Sequence, residues 1–274
     1  MLMKLMKHEL RATGRIMLPL FGLLLVTAVG ANFSVRGLTD SDSFFLNLLG
    51  GLFLVAFVVA MAAVCLIAFA LMLRRFHGNL LQDEGYVMMT LPVSVHQHIW
   101  SKLIVSTVWF AATIAVVILA CLVLAFDVKM AQTVAAGFRL LVEEIARNFS
   151  AYYAVNGMIV VLEGIVICVL ASFSMCLQCY SAMAIGYSFP NRKGLISVGV
   201  FIGMQIVLSL VEGLGISLFN DSTLHYALLG WTDVLSTAAG LHLSMWMLIG
   251  LEVLYGAVFY FLTTYFLKKR LNLE

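Results

Sequence analysis

Long apolar runs separated by short polar stretches dominate the pattern of this chain. A helix needs roughly 20 mainly apolar residues to cross about 30 Å of hydrocarbon. Six runs reach that length: Ile16–Ser34, Phe44–Leu73, Leu103–Phe126, Tyr153–Ile185, Leu195–Phe219 and Leu241–Leu267. None shows the alternating segments of roughly ten residues that are typical of a membrane β-barrel. Because helices satisfy their own backbone hydrogen bonds in lipid, the pattern predicts an all-α membrane protein with six transmembrane helices.

The composition excludes most classes of soluble protein. The 274 residues are 63% hydrophobic and 11% charged, whereas soluble domains are about 45–50% apolar and about 25% charged. Too few polar residues are present to cover a surface in water, so a soluble enzyme, a disordered tail and a nucleic-acid-binding domain are poor interpretations. We see no internal repeat or low-complexity tract, and we expect residues 1–274 to form a single transmembrane domain.

The positions of Lys and Arg predict the orientation. With a cytoplasmic N-terminus, twelve of these residues fall in inner segments and four in outer segments. An excess of Lys and Arg in inner loops is the bias that sets the topology of membrane proteins. We therefore expect both termini to be cytoplasmic.

The first fifteen residues carry a regular basic stripe. Lys4, Lys7, Arg11 and Arg15 are spaced three, four and four residues apart, which places them on one side of a helix. The neighbouring apolar residues lie away from this stripe: Leu2, Leu5, Met6 and Leu10. The pattern predicts an interfacial helix whose basic face meets anionic head groups of membrane lipid. The alternative is a merely charged N-terminus.

The longest inner segment, Arg74–Lys102, contains three residues that interrupt helices: Gly78, Gly85 and Pro92. Between them, a short helix over Asn79–Glu84 would present two leucines beside two acids: Leu80, Leu81, Asp83 and Glu84. Exposed leucines beside acids favour a contact with another protein. The alternative is a loop that packs against its own helices.

Two outer segments also have recognisable patterns. Asp127–Asn148 is typical of an amphipathic helix, with Glu143 and Arg147 one turn apart. Asn220–Gly240 is too apolar for a free loop and too short for another hairpin of spanning helices. We expect a pair of short helices that dip into the outer leaflet there.

Three acids lie within predicted spans: Glu163, Glu212 and Glu252. A charge at the bilayer centre costs roughly 2.5–3.5 kcal/mol, so each acid should face the bundle interior or water, or be protonated. One hypothesis is a polar lining for a substrate or cation pathway. The other is hydrogen bonding between helices, with Ser209 or Gln205 as a partner.

Other apparent motifs predict no chemistry. Cys176 and Cys179 share a helical face without the roughly four ligands of a structural metal site, and they read as packing residues. His96 and His98 have no third ligand and read as surface or contact residues. The sequence has no nucleotide-binding motif. We therefore expect no metal site, no catalytic residue and no cofactor in this chain.

Two stretches resemble a known family. They are KLMKHELRATGRIMLPL at Lys4–Leu20 and DEGYVMMTLPVSVHQHIWSK at Asp83–Lys102. Together with the six-span architecture, they resemble the permease subunits of ABC-2-type (type V-like) bacterial ABC transporters. The resemblance implies a plasma-membrane protein whose N-terminal segment is a connecting helix and whose Asn220–Gly240 segment forms re-entrant helices.

The resemblance also implies a partner. The stretch Gly78–Pro92 would carry the coupling helix, which contacts a separate ATPase subunit through five residues: Leu80, Leu81, Asp83, Glu84 and Tyr86. Two permeases, identical or different, would assemble with two ATPases that bind ATP and magnesium. Export of drugs, antimicrobial peptides or lipid-like molecules is the implied activity.

Two hypotheses of other classes stay open. One is an ATP-independent channel or carrier that uses Glu163, Glu212 and Glu252. The other is a membrane scaffold or sensor that transports nothing. The inner loop discriminates among them, since a carrier does not need a loop that binds an ATPase.

Overall fold

The computed structural model describes residues 2–35, 44–81, 94–124, 157–221 and 237–269, together with residues 136–137, 139–140, 143 and 147. Across these ranges the regular secondary structure is helical, with no strand. The long helices are α1 (Leu2–Phe33), α2 (Phe44–Leu80), α3 (Val95–Leu124), α4 (Gly157–Gly186), α5 (Lys193–Asp221) and α6 (Thr237–Lys269).

Each long helix contains all or most of one of the six predicted spans. Among the described residues, six helices are long and apolar enough to cross a membrane. Apolar side chains also cover their outer faces: Val26 is 70% exposed and Leu66 is 69% exposed. A helix that is hydrophobic all round fits a lipid environment better than water. The predicted all-helical fold, with six helices that could each span a membrane, is therefore confirmed.

α1 is longer than predicted and has no break after its basic segment. Its 32 residues extend from Leu2 through Pro19 to Phe33, which is about 48 Å at 1.5 Å per residue. A helix lying in the plane of the interface would have to turn before it entered a span. The structure has one continuous helix instead of a separate interfacial helix followed by a span.

α2 also continues past its predicted end. Gly78 lies inside the helix, and the two leucines expected to be exposed are buried, with Leu80 0% and Leu81 3% accessible. Glycine costs a helix up to about 1 kcal/mol relative to alanine, whereas burying a leucine side chain stabilises by about 1.5–3 kcal/mol. The expectation of a separate short helix that presents these leucines is therefore wrong.

The helices pack as two units. The first comprises Met1–Phe76 and Pro92–Phe138. Its core lies along one face of α1, where Met17, Leu24 and Ala28 meet Phe57 and Val64 of α2. α1 also packs against α3. At the end of that contact, the side-chain amide of Asn32 donates to the carbonyl oxygens of Val123 and Leu124, at 3.0 and 2.7 Å. These carbonyls belong to the last turn of α3, where no intrahelical donor is available.

The second unit comprises His77–Leu91 and Arg139–Glu274. Here α4 packs against both α5 and α6, and Tyr180 of α4 and Thr263 of α6 are fully buried. The predicted pair on the outer segment is present: Glu143 lies 4.0 Å from Arg147 and 2.9 Å from Arg139. The predicted re-entrant helices fall largely on residues 222–236, outside the described residues.

We expect Gly186→Ala to destabilise the second unit. A Cβ atom at Gly186 would lie 2.6 Å from the backbone nitrogen of Ser197, a backbone atom that cannot rotate away. Overpacking of this kind costs about 1–3 kcal/mol. Unfolding in mild detergent, followed by circular dichroism during denaturant titration, measures the loss. Gly164→Ala is the matched control on the same helix, since a Cβ there meets nothing within 4 Å. Equal effects of the two substitutions would contradict the close approach of α4 and α5.

Candidate functional site

A buried charge cluster joins the first three helices. Lys102 of α3 is only 4% exposed, and its Nζ atom lies 2.6 Å from Glu9 Oε1 of α1. The same ammonium group donates to the backbone oxygen of Arg75 in α2, at 3.1 Å. The Arg75 guanidinium lies 4.0 Å from the second Glu9 oxygen. Lysine is almost never buried unless it is paired, so this contact fixes the positions of three helices at once.

The cluster lies on both sides of the connection between α2 and α3. Arg75 comes shortly before the end of α2, and Lys102 lies at the start of the third turn of α3. Both are therefore held to α1 through Glu9. Sequence analysis counted Arg75 and Lys102 only as inner positive charges and did not identify Glu9.

The predicted coupling residues have a mixed outcome. Leu80 and Leu81 are buried within the chain, so they are not available as an exposed docking surface. Asp83, Glu84 and Tyr86 lie outside the described residues. Their role in binding an ATPase stays a prediction.

The four basic residues of the stripe are all exposed: Lys4, Lys7, Arg11 and Arg15. At about 100° per residue they occupy the side of α1 opposite Glu9. α1 thus presents two faces at this level. One is ion-paired with its own neighbours, and the other is basic and open.

The intramembrane acids of the second unit make contacts between helices. Glu163 of α4 lies 2.8 Å from His242 of α6. Farther along the same two helices, the Ser174 hydroxyl donates to the carboxylate of Glu252. These partners differ from Ser209 and Gln205, the expected ones. Gln205 instead lies 3.5 Å from the Gln178 side chain.

Glu212 differs from the other two acids. It is exposed on α5, and both Glu212 and Glu252 lie close enough to the hydroxyl of Tyr255 to interact with it electrostatically. The structure therefore brings Glu212 and Glu252 to one tyrosine, while Glu163 pairs elsewhere with His242.

His242 is a functional candidate that sequence analysis missed, although the sequence held a signal for it. Glu163 and Ser174 are eleven residues apart on α4, and His242 and Glu252 are ten residues apart on α6. Two helices in contact with matching polar spacings bring both pairs together. The sequence alone gives the spacings but not which helices are neighbours.

A second contact that sequence analysis missed lies at the end of α2. His77 Nε2 makes a hydrogen bond to the hydroxyl of Tyr187, in the turn after α4. The two rings meet edge to face, with centroids 5.0 Å apart. A tyrosine hydroxyl is protonated at neutral pH, and burial raises the pKa of Tyr187 further, so this hydroxyl can donate to the imidazole.

Two cysteines and two histidines that were not expected to bind a metal differ in their exposure. Cys176 and Cys179 are free and buried in α4. His96 is exposed, but His98 is buried, because the first turn of α3 packs inward. Of the two predicted alternatives, surface or contact residue, His98 is therefore a contact residue and His96 a surface residue. In the described ranges, no three His, Cys, Asp or Glu side chains are grouped to hold a metal ion.

Comparison with known proteins adds no further assignment. No protein-family model, characterised protein or solved structure matches the chain. Membership of the permease family therefore stays a prediction, and the function has to be argued from the residues themselves.

We expect Lys102→Met to destabilise the first unit by about 1–3 kcal/mol, because it removes the closest cation from the largely buried Glu9 carboxylate. Combining it with Glu9→Gln removes that stranded charge and should restore most of the loss. Denaturant titration in mild detergent measures both. Lys7→Met, on the exposed face of α1, is the control and should change stability by less than about 0.5 kcal/mol. If the double variant were less stable than Lys102→Met alone, the pairing would be refuted.

We expect Glu163 and His242 to show energetic coupling. The single changes Glu163→Ala and His242→Ala should each destabilise, and the double change should cost less than their sum by about 0.5–3 kcal/mol. The control pair is Glu212→Ala with His242→Ala, which should be additive because Glu212 is exposed. If the effects of Glu163→Ala and His242→Ala on the free energy of unfolding were strictly additive, the contact between the two residues would contribute nothing to stability.

Proposed function

We propose that this protein is the permease subunit of a bacterial ATP-binding cassette exporter. In this proposal a separate ATPase subunit binds the connection between α2 and α3 and moves it during the ATP cycle. The observation that carries the proposal is the cluster of Glu9, Arg75 and Lys102. It attaches both sides of that connection to α1, through the buried Lys102 on one side and the partly exposed Arg75 on the other.

A second contact explains how such motion would reach the other end of the span. Asn32 of α1 binds the last turn of α3, and Glu9 binds Lys102 in the N-terminal third of the same helix. Glu9 and Asn32 are about 35 Å apart along α1 at 1.5 Å per residue, slightly more than the hydrocarbon thickness. Polar contacts at both ends make α1 and α3 a stiff pair. A force applied at one end of α1 and α3 would therefore be transmitted through the pair to its other end, on the far side of the membrane.

The charge distribution supports the orientation that this mechanism requires. The connection between α2 and α3 and both termini would be cytoplasmic, where an ATPase finds ATP. The bias of twelve inner against four outer Lys and Arg favours this arrangement in a plasma membrane. The ATPase would supply nucleotide and magnesium binding, and the permease would work as a homodimer or heterodimer. Drugs, antimicrobial peptides and lipid-like molecules are the proposed classes of cargo.

The contacts of the intramembrane acids favour a structural role over an ion pathway. Glu163 and Glu252 each bind a side chain on the neighbouring helix. Such contacts hold helices together in lipid, where apolar packing alone gives little preference between partners. A proton or cation carrier is the second candidate function, and it would use the same residues.

The proposal predicts that an ATPase copurifies with the protein in mild detergent. We expect the triple variant Asp83→Asn, Glu84→Gln, Tyr86→Ala to lose that partner while it folds normally, since it leaves buried Leu80 and Leu81 unchanged. The control is Glu143→Gln with Glu144→Gln, which removes two acids from the predicted outer segment. Mass spectrometry of the purified complex and the ATPase rate of the pair are the measurements.

Two outcomes would contradict the proposal. One is an ATPase that stays bound to the triple variant and whose rate of ATP hydrolysis is raised as much by the variant as by the unchanged protein. The other is proton or cation flux into vesicles that contain only this protein, measured with a pH-sensitive or cation-sensitive dye. Flux that is abolished by Glu163→Gln would favour the carrier.

A further inference from the structure

An open groove runs along the first half of α1. Its volume is about 850 Å³. Its walls are residues of α1 between Met3 and Leu18, and Trp109 of α3 forms the other side. The groove belongs wholly to the first unit and is independent of the polar contacts between α4 and α6.

One wall of the groove is basic. All four stripe residues line it: Lys4, Lys7, Arg11 and Arg15. No acid is among its described lining residues. Glu9 is the one acid in the first fifteen residues of the sequence, and it is turned away toward Lys102 and Arg75. Because Glu9 is paired inside the unit, no described acid neutralises the positive charge of the groove.

The remainder of the groove is apolar. Met3, Met6, Leu10 and Leu18 line it, together with Trp109. The indole lies against Gly14, where a Cβ atom would be 3.4 Å from the ring. It also packs at a tilt on Phe21, with ring centroids 6.1 Å apart. Tryptophan is enriched in membrane proteins at both membrane–water interfaces, at the level of the lipid head groups.

The order of these residues along the helix matches an amphipathic ligand. The cations end at Arg15, and Leu18 and Phe21 follow as the helix enters its apolar stretch. A ligand lying along α1 would therefore meet positive charge first and hydrocarbon second. Lys and Arg donate charge-assisted hydrogen bonds to phosphate oxygens.

We propose that this groove binds an anionic phospholipid of the surrounding membrane. Its phosphate and head group contact Lys7 and Arg11, and one acyl chain lies along Leu18 and Trp109. The charge complementarity selects an anionic lipid over a zwitterionic one. The open, partly apolar shape selects a lipid over a free phosphate ion. The inference does not depend on an ATPase partner, so the two proposals can fail separately.

Fluorescence quenching of Trp109 tests the proposal. The reporter is the protein with Trp100, Trp231 and Trp246 changed to Phe, in vesicles of phosphatidylcholine with a small fraction of brominated lipid. We expect brominated phosphatidylglycerol to quench Trp109 at about one tenth or less of the mole fraction needed with brominated phosphatidylcholine. Lys7→Gln with Arg11→Gln should abolish this difference.

The matched control is Lys268→Gln with Lys269→Gln, which removes the same charge from the exposed end of α6 and should keep the preference. Native mass spectrometry of the protein with all its tryptophans supplies a second measurement. We expect retained phosphatidylglycerol that only the Lys7 and Arg11 changes remove. Equal quenching by both lipids, or a preference that survives the Lys7 and Arg11 changes, would overturn the proposal. So would a groove that binds an acidic protein partner but shows no lipid preference.

Discussion

The buried ammonium group of Lys102 is the constraint on which the first unit depends. Its charge would be prohibitive inside the protein without Glu9 and the carbonyl oxygen of Arg75. Satisfying it requires α1, α2 and α3 to meet at one point. The same requirement turns Glu9 inward and leaves the basic stripe of α1 facing outward, with no acid among the described residues that line its groove. One electrostatic demand therefore sets both the packing of the unit and the charge of its outer groove.

Polar contacts have a particular importance in a chain of this composition. Lipid tails are as apolar as leucine, so hydrophobicity does not tell one membrane helix from another. In the first unit, the contacts of Lys102 and Asn32 fix α1 against α3 at both ends. In the second, the pairs Glu163–His242 and Ser174–Glu252 do the same for α4 and α6. A few hydrogen bonds thus specify the register that apolar surfaces leave open.

The sequence predicted the number of helices and their approximate bounds, because the length of an apolar run is a local property. It did not predict which polar groups pair, since that depends on which helices are neighbours. Glu9 lies among four basic residues, and His242 is a single polar residue at the start of a predicted span, so neither has a partner that is close in sequence. Gly78 does not end α2, because the burial of Leu80 and Leu81 offsets the cost of a glycine in the helix. That burial depends on tertiary packing, which the local sequence does not show.

The inward position of Glu9 changes how the beginning of the chain should be regarded. Hydropathy alone treats the first fifteen residues as a dispensable leader to the first span. A shortened protein starting at Met17 would keep six apolar segments, yet it would lack the carboxylate that neutralises Lys102. Truncation at the hydrophobic boundary would thus remove the contact between Glu9 and Lys102 that joins α1 to α3. Affinity tags belong ahead of the native first turn, with that turn left intact.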